Sequence, residues 1–230
     1  MKKVLLSWSS GKDSCWALHV LSKQPDIHVV ALLTTFNSAF DRVAMHAVRR
    51  SLVEAQAERL GLPLWPVELP WPCSNACYED LMRPIFRRAI EAGIRAIAFG
   101  DLFLQDIRAY RERQLLGTGI EPLFPLWHIP TAQLARDMIA AGLKAVITCV
   151  DPTKLDKSYS GREYDATFLA DLPPGADPCG ENGEFHTFVH DAPLFSSLIE
   201  IDRGEILERD GFVFADVYAR GARLVTTLHA

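Results

Sequence analysis

The run Ser7-Trp8-Ser9-Ser10-Gly11-Lys12-Asp13-Ser14 follows a short apolar stretch, residues 3–7, and opens a segment of helical period. A helix N-terminus exposes unpaired N–H groups at the positive end of its dipole, and small residues let the backbone close around an anion. Ser9, Ser10 and Gly11 supply the small residues, Ser14 a hydroxyl and Lys12 a cation. The turn therefore has the make-up of a phosphate cradle, against the plainer reading of a serine-rich turn with Asp13 capping the helix. It is not a Walker A loop, which needs Gly five residues before Gly11 and Ser or Thr after the lysine. Leu6 and Asp13 occupy those positions.

Outward from this turn, one rhythm repeats through the first two thirds of the chain. Short apolar runs at residues 3–7, 28–34, 64–68, 96–99 and 145–149 predict strands. Helical windows at 13–22, 44–60, 75–92, 104–116 and 132–141 lie between them, and Gly61, Gly93 and Gly142 follow three of these as C-caps. Alternating strands and helices, with strands apolar throughout, imply a parallel sheet covered by helices on both faces. Ligands of such sheets sit beyond the carboxyl ends of the strands, which points to loops 8–12, 35–42 and 100–103. After Cys149 the texture becomes rich in Pro, Gly, Asp and Ser, then shows alternating runs at 198–202 and 212–218 with turns at 202–204 and 209–211. That pattern predicts a smaller C-terminal α+β part with β-hairpins, and a division into residues 1–150 and 151–230.

The 230 residues are 49% hydrophobic and 23% charged, as in a folded globular chain rather than a disordered or fibrous one. The balance of 24 basic and 29 acidic residues gives −5, and the arginine pairs lie in helix-like windows, so nucleic acid is not the expected partner. The apolar run after Lys3 stops at Ser7, too short for a signal peptide, and no window reaches a membrane span. A cytoplasmic protein with five reduced cysteines is expected. Cys73 and Cys77 have no second pair at ligand spacing, so zinc is not expected.

Two further constellations carry chemistry. In Gly100-Asp101-Leu102-Phe103-Leu104-Gln105-Asp106-Ile107-Arg108-Ala109-Tyr110-Arg111 the glycine permits close backbone approach and Asp101 stands at the carboxyl end of a strand. Arg108 and Arg113 read as surface arginines. Asp177-Pro178-Cys179-Gly180-Glu181-Asn182-Gly183-Glu184-Phe185-His186-Thr187 crowds carboxylates, an amide, an imidazole and a hydroxyl between bending glycines. His186 is a candidate general base. His46, Arg49 and Arg50 read as a solvated helix face.

The first turn resembles the SGGxDS signature of the ATP pyrophosphatase enzymes, with Ser10 in place of the second glycine. In this it is similar to the SxGKDS variant of the diphthine-ammonia ligase-like ATP-binding family. The Gly100–Arg111 segment and the Glu181–Thr187 loop resemble that family's later motifs, and Met45-His46-Ala47-Val48-Arg49 its MHGVR stretch, with Ala47 for Gly. The resemblance implies a Rossmann-like, HUP-type ATP-binding sheet domain followed by a substrate domain. It implies a ligase that adenylates a carboxylate, releases pyrophosphate and passes the acyl group to ammonia or an amine. Ser9, Ser10, Gly11, Lys12, Asp13, Ser14, Gly100, Asp101 and Arg111 are then the ATP-binding residues, with Mg²⁺ at Asp13. Glu181, Asn182, Gly183, Glu184, His186 and Thr187 face the substrate, and Lys12, Asp13, Glu184 and His186 are catalytic. The implied partners are ATP, a carboxylate acceptor that is a small molecule or a protein, and the nitrogen donor, in a chain compatible with a homodimer. An ATP- or AMP-binding sensor without turnover and a sulfur-transfer enzyme are the alternatives.

Overall fold

The computed structural model describes residues 1–44 and 46–221, and the statements below concern those residues. The elements run β1 (Lys2–Ser7), α1 (Lys12–Leu21), β2 (Ile27–Asn37), β3 (Arg42–Val43), α2 (Arg50–Leu60), β4 (Leu64–Leu69), α3 (Asn75–Glu91), β5 (Ala96–Ala98), α4 (Gln105–Leu115) and β6 (Glu121–Leu123). Then follow α5 (Thr131–Ala140), β7 (Lys144–Val150), a 3-10 turn (Lys157–Tyr159), α6 (Ala166–Asp171), β8 (Phe185–Asp191), β9 (Ile201–Arg209) and β10 (Phe212–Ala219).

β4, β2, β1, β5 and β6 lie side by side in parallel. β2 outruns β1, and its last residues pair antiparallel with β3. The chain steps one way from β1 through β2 to β4, then crosses to β5 and β6 on the other side of β1. The order thus reverses between β1 and β5, and the carboxyl ends of these two strands form the crevice where such sheets take ligands. β1 is buried on both faces. Val4 and Leu6 pack with Trp16, Leu52 and Val53 of α1 and α2, while Leu5 faces Phe86 and Ala89 of α3 and Leu115 of α4. The period-2 alternation of a strand divides these residues between two helix layers.

A second, antiparallel sheet has the order β8-β7-β10-β9. It shares the α1 and α2 side of the core, where Phe185, Phe188 and Val213 join Leu6 and Trp16. The expected mixed architecture, a mostly parallel sheet flanked by helices plus a second sheet, is the one observed. The strand expected at 145–149 forms as β7, but in the antiparallel sheet, beside β8 and β10. A central strand buried on both faces is apolar throughout whichever way its neighbours run, so its sequence does not distinguish the two sheets.

Helix α2 begins at Arg50 rather than near 44, because Ala47 is left-handed (φ 55°) and Arg49 bridges Arg42. The turn expected at 202–204 lies inside β9, whereas that at 209–211 is a two-residue hairpin loop, Asp210 (φ 52°) and Gly211 (φ 83°) both left-handed. Gly61, Gly93 and Gly142 have the positive φ expected of helix C-caps. Among the described residues no helix is long and apolar enough to cross a membrane.

Candidate active site

The turn after β1 is held in shape from outside. Ser10 is buried with φ 69°, a left-handed conformation that costs a non-glycine residue roughly 1–2 kcal/mol. Its carbonyl is fixed by two donors, the Val189 N–H (3.0 Å) and the Gln56 side-chain amide (3.0 Å). Gln56, fully buried on the apolar stripe of α2, also donates to the Val189 carbonyl (2.6 Å) and accepts from the Trp8 indole (2.8 Å). Gly11 at the helix start has no capping side chain of its own. Instead the Thr187 hydroxyl of β8 accepts from the Lys12 N–H (3.0 Å). The hydroxyls of Ser9 and Ser14 lie 3.2 Å apart, and Ser14 donates to the Gly11 carbonyl (3.0 Å).

The Lys12 ammonium is buried. It pairs with Asp13 (2.9 Å), donates to the Cys179 carbonyl and sits over the rings of Phe185 (5.2 Å) and Tyr164 (5.6 Å). Burial is the largest single influence and opposes its charge, but Asp13, Cys179 and Asp177 together outweigh it, and the net shift of its pKa is upward. Across the crevice Gly100 lies against the first turn of α1. A Cβ there would stand 2.9 Å from the Asp13 carbonyl carbon and 3.0 Å from the Ser14 nitrogen, so only glycine allows this approach. Asp101 faces Arg111 at 3.9 Å. Burial raises the carboxyls of both Asp13 and Asp101, and Asp13 Oδ1 and Asp101 Oδ2 are buried without hydrogen-bond partners.

The loop before β8 closes the crevice. Glu181 accepts from the Leu102 N–H (2.7 Å) and the Phe103 N–H (3.3 Å), and burial raises its carboxyl to about 7. His186 packs against His46 with ring centres 4.4 Å apart and the rings tilted by 35°. Burial lowers His186 to about 4, and burial beside His186 lowers His46 well below its ordinary value. Both rings are neutral at neutral pH.

Ser9, Lys12, Asp13, Ser14, Gly100, Asp101, Arg111, Glu181, Gly183, His186 and Thr187 thus surround one polar cavity of about 220 Å³. It adjoins a largely apolar cavity of about 670 Å³ that runs between β1, α3 and α4, and Ser9, His46, Arg111 and His186 line both. Four expected residues line neither cavity: Ser10 and Gly11, which shape the turn from behind, and Asn182 and Glu184. Glu184 is buried with Oε1 accepting from the Asp177 N–H (2.9 Å) and the Asn182 amide (3.2 Å), and neither Glu184 nor Asn182 lines the cavities. Arg49 and Arg50 are not a solvated face. Arg49 and Arg42 clamp Asp216 of β10, and Arg50 pairs with Asp41 and Glu68. Met45 of the MHGVR-like stretch lies outside the described residues, while His46 enters the site. Gln56 was not anticipated; a glutamine among Leu52, Val53 and Ala57 on a buried helix stripe was its only signal.

Residues 1–120 match the family described as the diphthamide synthase N-terminal domain, and residues 130–218 the diphthamide synthase C-terminal domain. A diphthine–ammonia ligase of Mus musculus is 27% identical over 243 residues, spanning 94% of this chain and 89% of the relative. That of Danio rerio is 29% identical over 232 residues, 91% of this chain and 90% of the relative. That of Schizosaccharomyces pombe is 27% identical over 224 residues, which is 90% of this chain but 37% of the longer relative.

Proposed function

Because this chain belongs to the diphthamide synthase family, we propose that it is an ATP-dependent ligase that adenylates a carboxylate and transfers ammonia to it. The observation that carries this reading is the pairing of a polar cavity at the N-terminus of α1 with a larger apolar one at the switch between β1 and β5. A triphosphate fits the first and a nucleoside the second. In the adenylation step a carboxylate oxygen attacks the α-phosphorus, the bond from that phosphorus to the β-phosphate oxygen breaks, and pyrophosphate leaves toward Ser9, Gly11 and Ser14. Helix N–H groups aimed at this leaving group stabilise charge where it develops. Ammonia then attacks the acyl carbon, the carbon–oxygen bond to AMP breaks, and a proton is lost from nitrogen. Glu181, raised to about 7, is better matched to accept that proton than His186 at about 4. The neutral His186 ring serves instead as a hydrogen-bond partner at the reacting carboxylate.

Asp13 and Asp101 each keep a buried oxygen that accepts no hydrogen bond and would hold a divalent cation such as Mg²⁺, which would offset phosphate charge there. Of the thiols considered for sulfur transfer, Cys73, Cys77 and Cys149, burial pushes Cys149 up to about 12, which does not suit it to that role. The diphthine named for the relatives is the first acceptor to try. Incubating the chain with ATP labelled at the α-phosphate, Mg²⁺, ammonium and acceptor is expected to give labelled AMP with pyrophosphate. Labelled ADP would overturn the α-phosphate mechanism, and tight binding without turnover would favour the sensor.

A further inference from the structure

Cys15, Cys149 and Cys179 are buried, whereas Cys73 and Cys77 are both partly exposed, four residues apart where the chain enters α3. Ser74 between them caps the helix, its hydroxyl accepting from the Cys77 N–H (3.2 Å) and its carbonyl from the Tyr78 N–H (2.9 Å). The Cys73 thiol lies 3.6 Å from that same carbonyl and faces the Cys77 thiol. Four residues of helix rise about 6 Å, and a disulfide tolerates Cα atoms up to about 7 Å apart. Cys73 lies just outside the helix, so what remains of the adjustment falls on the segment before it. Among the described residues no backbone hydrogen bond holds residues 70–73, and that segment can carry Cys73 onto Cys77.

The pair stands at the wall of the site. Cys73, Asn75 and Tyr78 line the apolar cavity assigned above to the nucleoside, whereas Cys77 does not. Leu69 and Cys73 also line a neighbouring cavity of about 290 Å³, so residues 69–73 are a wall shared by the two. Joining Cys73 to Cys77 draws this wall toward α3 and takes the Cys73 side chain away from the apolar cavity. The Ser74 cap between the two sulfurs has to give as the ring closes, and Asn75 and Tyr78 shift with it.

We propose that Cys73 and Cys77 are a modification site, closed to a disulfide by small disulfides such as oxidised glutathione, and that closure weakens nucleotide binding. One thiolate of the pair attacks a sulfur of the small disulfide, whose S–S bond breaks and releases one small thiol, leaving a mixed disulfide. The other thiolate then attacks the protein sulfur of that mixed disulfide and expels the second small thiol. The pair loses two electrons and two protons, and the small disulfide gains both. Partial burial and the neighbouring thiol raise Cys73, so it keeps its proton longer and Cys77 makes the first attack. The bond stands on the two thiols alone, and its effect on nucleotide rests on the ligase reading.

The test equilibrates the whole chain in mixtures of reduced and oxidised glutathione, stops exchange with acid and alkylates the remaining thiols. No lysine or arginine stands between the two cysteines, so one tryptic peptide carries both. That peptide is expected to escape alkylation and lose two hydrogens, reversibly, as the mixture becomes oxidising, while Cys73→Ser holds a persistent glutathione adduct at Cys77. Calorimetry with the α,β-methylene analogue of ATP is expected to show affinity reduced about tenfold or more in the oxidised chain and restored by dithiothreitol. Cys77→Ser should bind the analogue like the reduced chain whatever the glutathione ratio. By linkage, saturating analogue should raise the pair's reduction potential by about 30 mV for that tenfold, a reading on the unsubstituted chain that needs no variant to fold. Full alkylation in every mixture, or glutathione adducts with no loss of two hydrogens, overturns the bond. A disulfide that leaves analogue affinity and the potential unchanged overturns its effect on nucleotide. The ligase reading fails separately, since a reduced chain that does not bind the analogue removes the nucleotide site while the peptide mass still decides the bond.

Discussion

Glu184 and Glu181 lie three positions apart on one loop, yet the structure gives them opposite settings. Oε1 of Glu184 accepts from the Asp177 N–H and the Asn182 amide, while its Oε2 is buried without a hydrogen-bond partner. Glu184→Gln keeps one oxygen for those donors, so kcat is expected to stay within about threefold, whereas Glu184→Ala leaves them unpaired and lowers stability by about 2 kcal/mol. Urea unfolding beside AMP-release kinetics checks both; a loss of a hundredfold or more in the glutamine variant would mark Glu184 as an acid or base after all. Glu181, raised to about 7 from 4.5, binds a proton more tightly folded than unfolded, so its stabilisation is present at low pH and fades as pH rises through that window. His186, lowered to about 4 from 6.5, acts oppositely, its contribution lost as pH falls below 6.5. The two partly cancel between pH 4.5 and 6.5. Glu181→Gln should therefore steepen the rise of stability with pH there, by up to about 1.4 kcal/mol per pH unit, in a pH series of urea melts. An unchanged slope would mean that Glu181 is not protonated in this range.

The turn at residues 7–14 was legible as a strand-to-helix junction because its chemistry is local. Small residues, a lysine and a serine between a strand and a helix mean much the same thing wherever the rest of the chain goes. Gly100 was legible as a point of close approach, and its neighbour proved to be the backbone of Asp13 and Ser14 in the first turn of α1. Gly100→Ala is expected to push α1 away from the end of β5 and weaken nucleotide binding at least tenfold, measured by calorimetry. The fold should survive at a cost of about 1–3 kcal/mol, as for other overpacked sites. What stayed hidden depended on partners distant in sequence. The allegiance of β7 is set by which strands flank it, and the carboxylate of Glu184 looks the same in sequence whether it anchors a loop or moves a proton. Arg49 reads as solvated until Asp216, on β10, is placed against it.

At the scale of the molecule, the two sheets meet at a few polar joints inside a shared apolar core. Gln56 is one of these, joining Trp8, Ser10 and Val189. Gln56→Leu has similar bulk but leaves an indole N–H and two carbonyls short of a partner, so a loss of about 2–4 kcal/mol is expected. Faster hydrogen exchange at Val189 should accompany it, since that amide holds the Ser10 carbonyl beside the glutamine. Exchange unchanged at Val189 would show that the joint does not depend on this side chain. The Lys12 amide, capped by a hydroxyl from Thr187, carries the same logic further. The chain's earliest helix borrows its first cap from a residue 175 positions downstream. A ribosome that has delivered only the leading half has therefore made the polar cavity without one wall, and a split-gene version of this protein would regain it only when its two pieces meet.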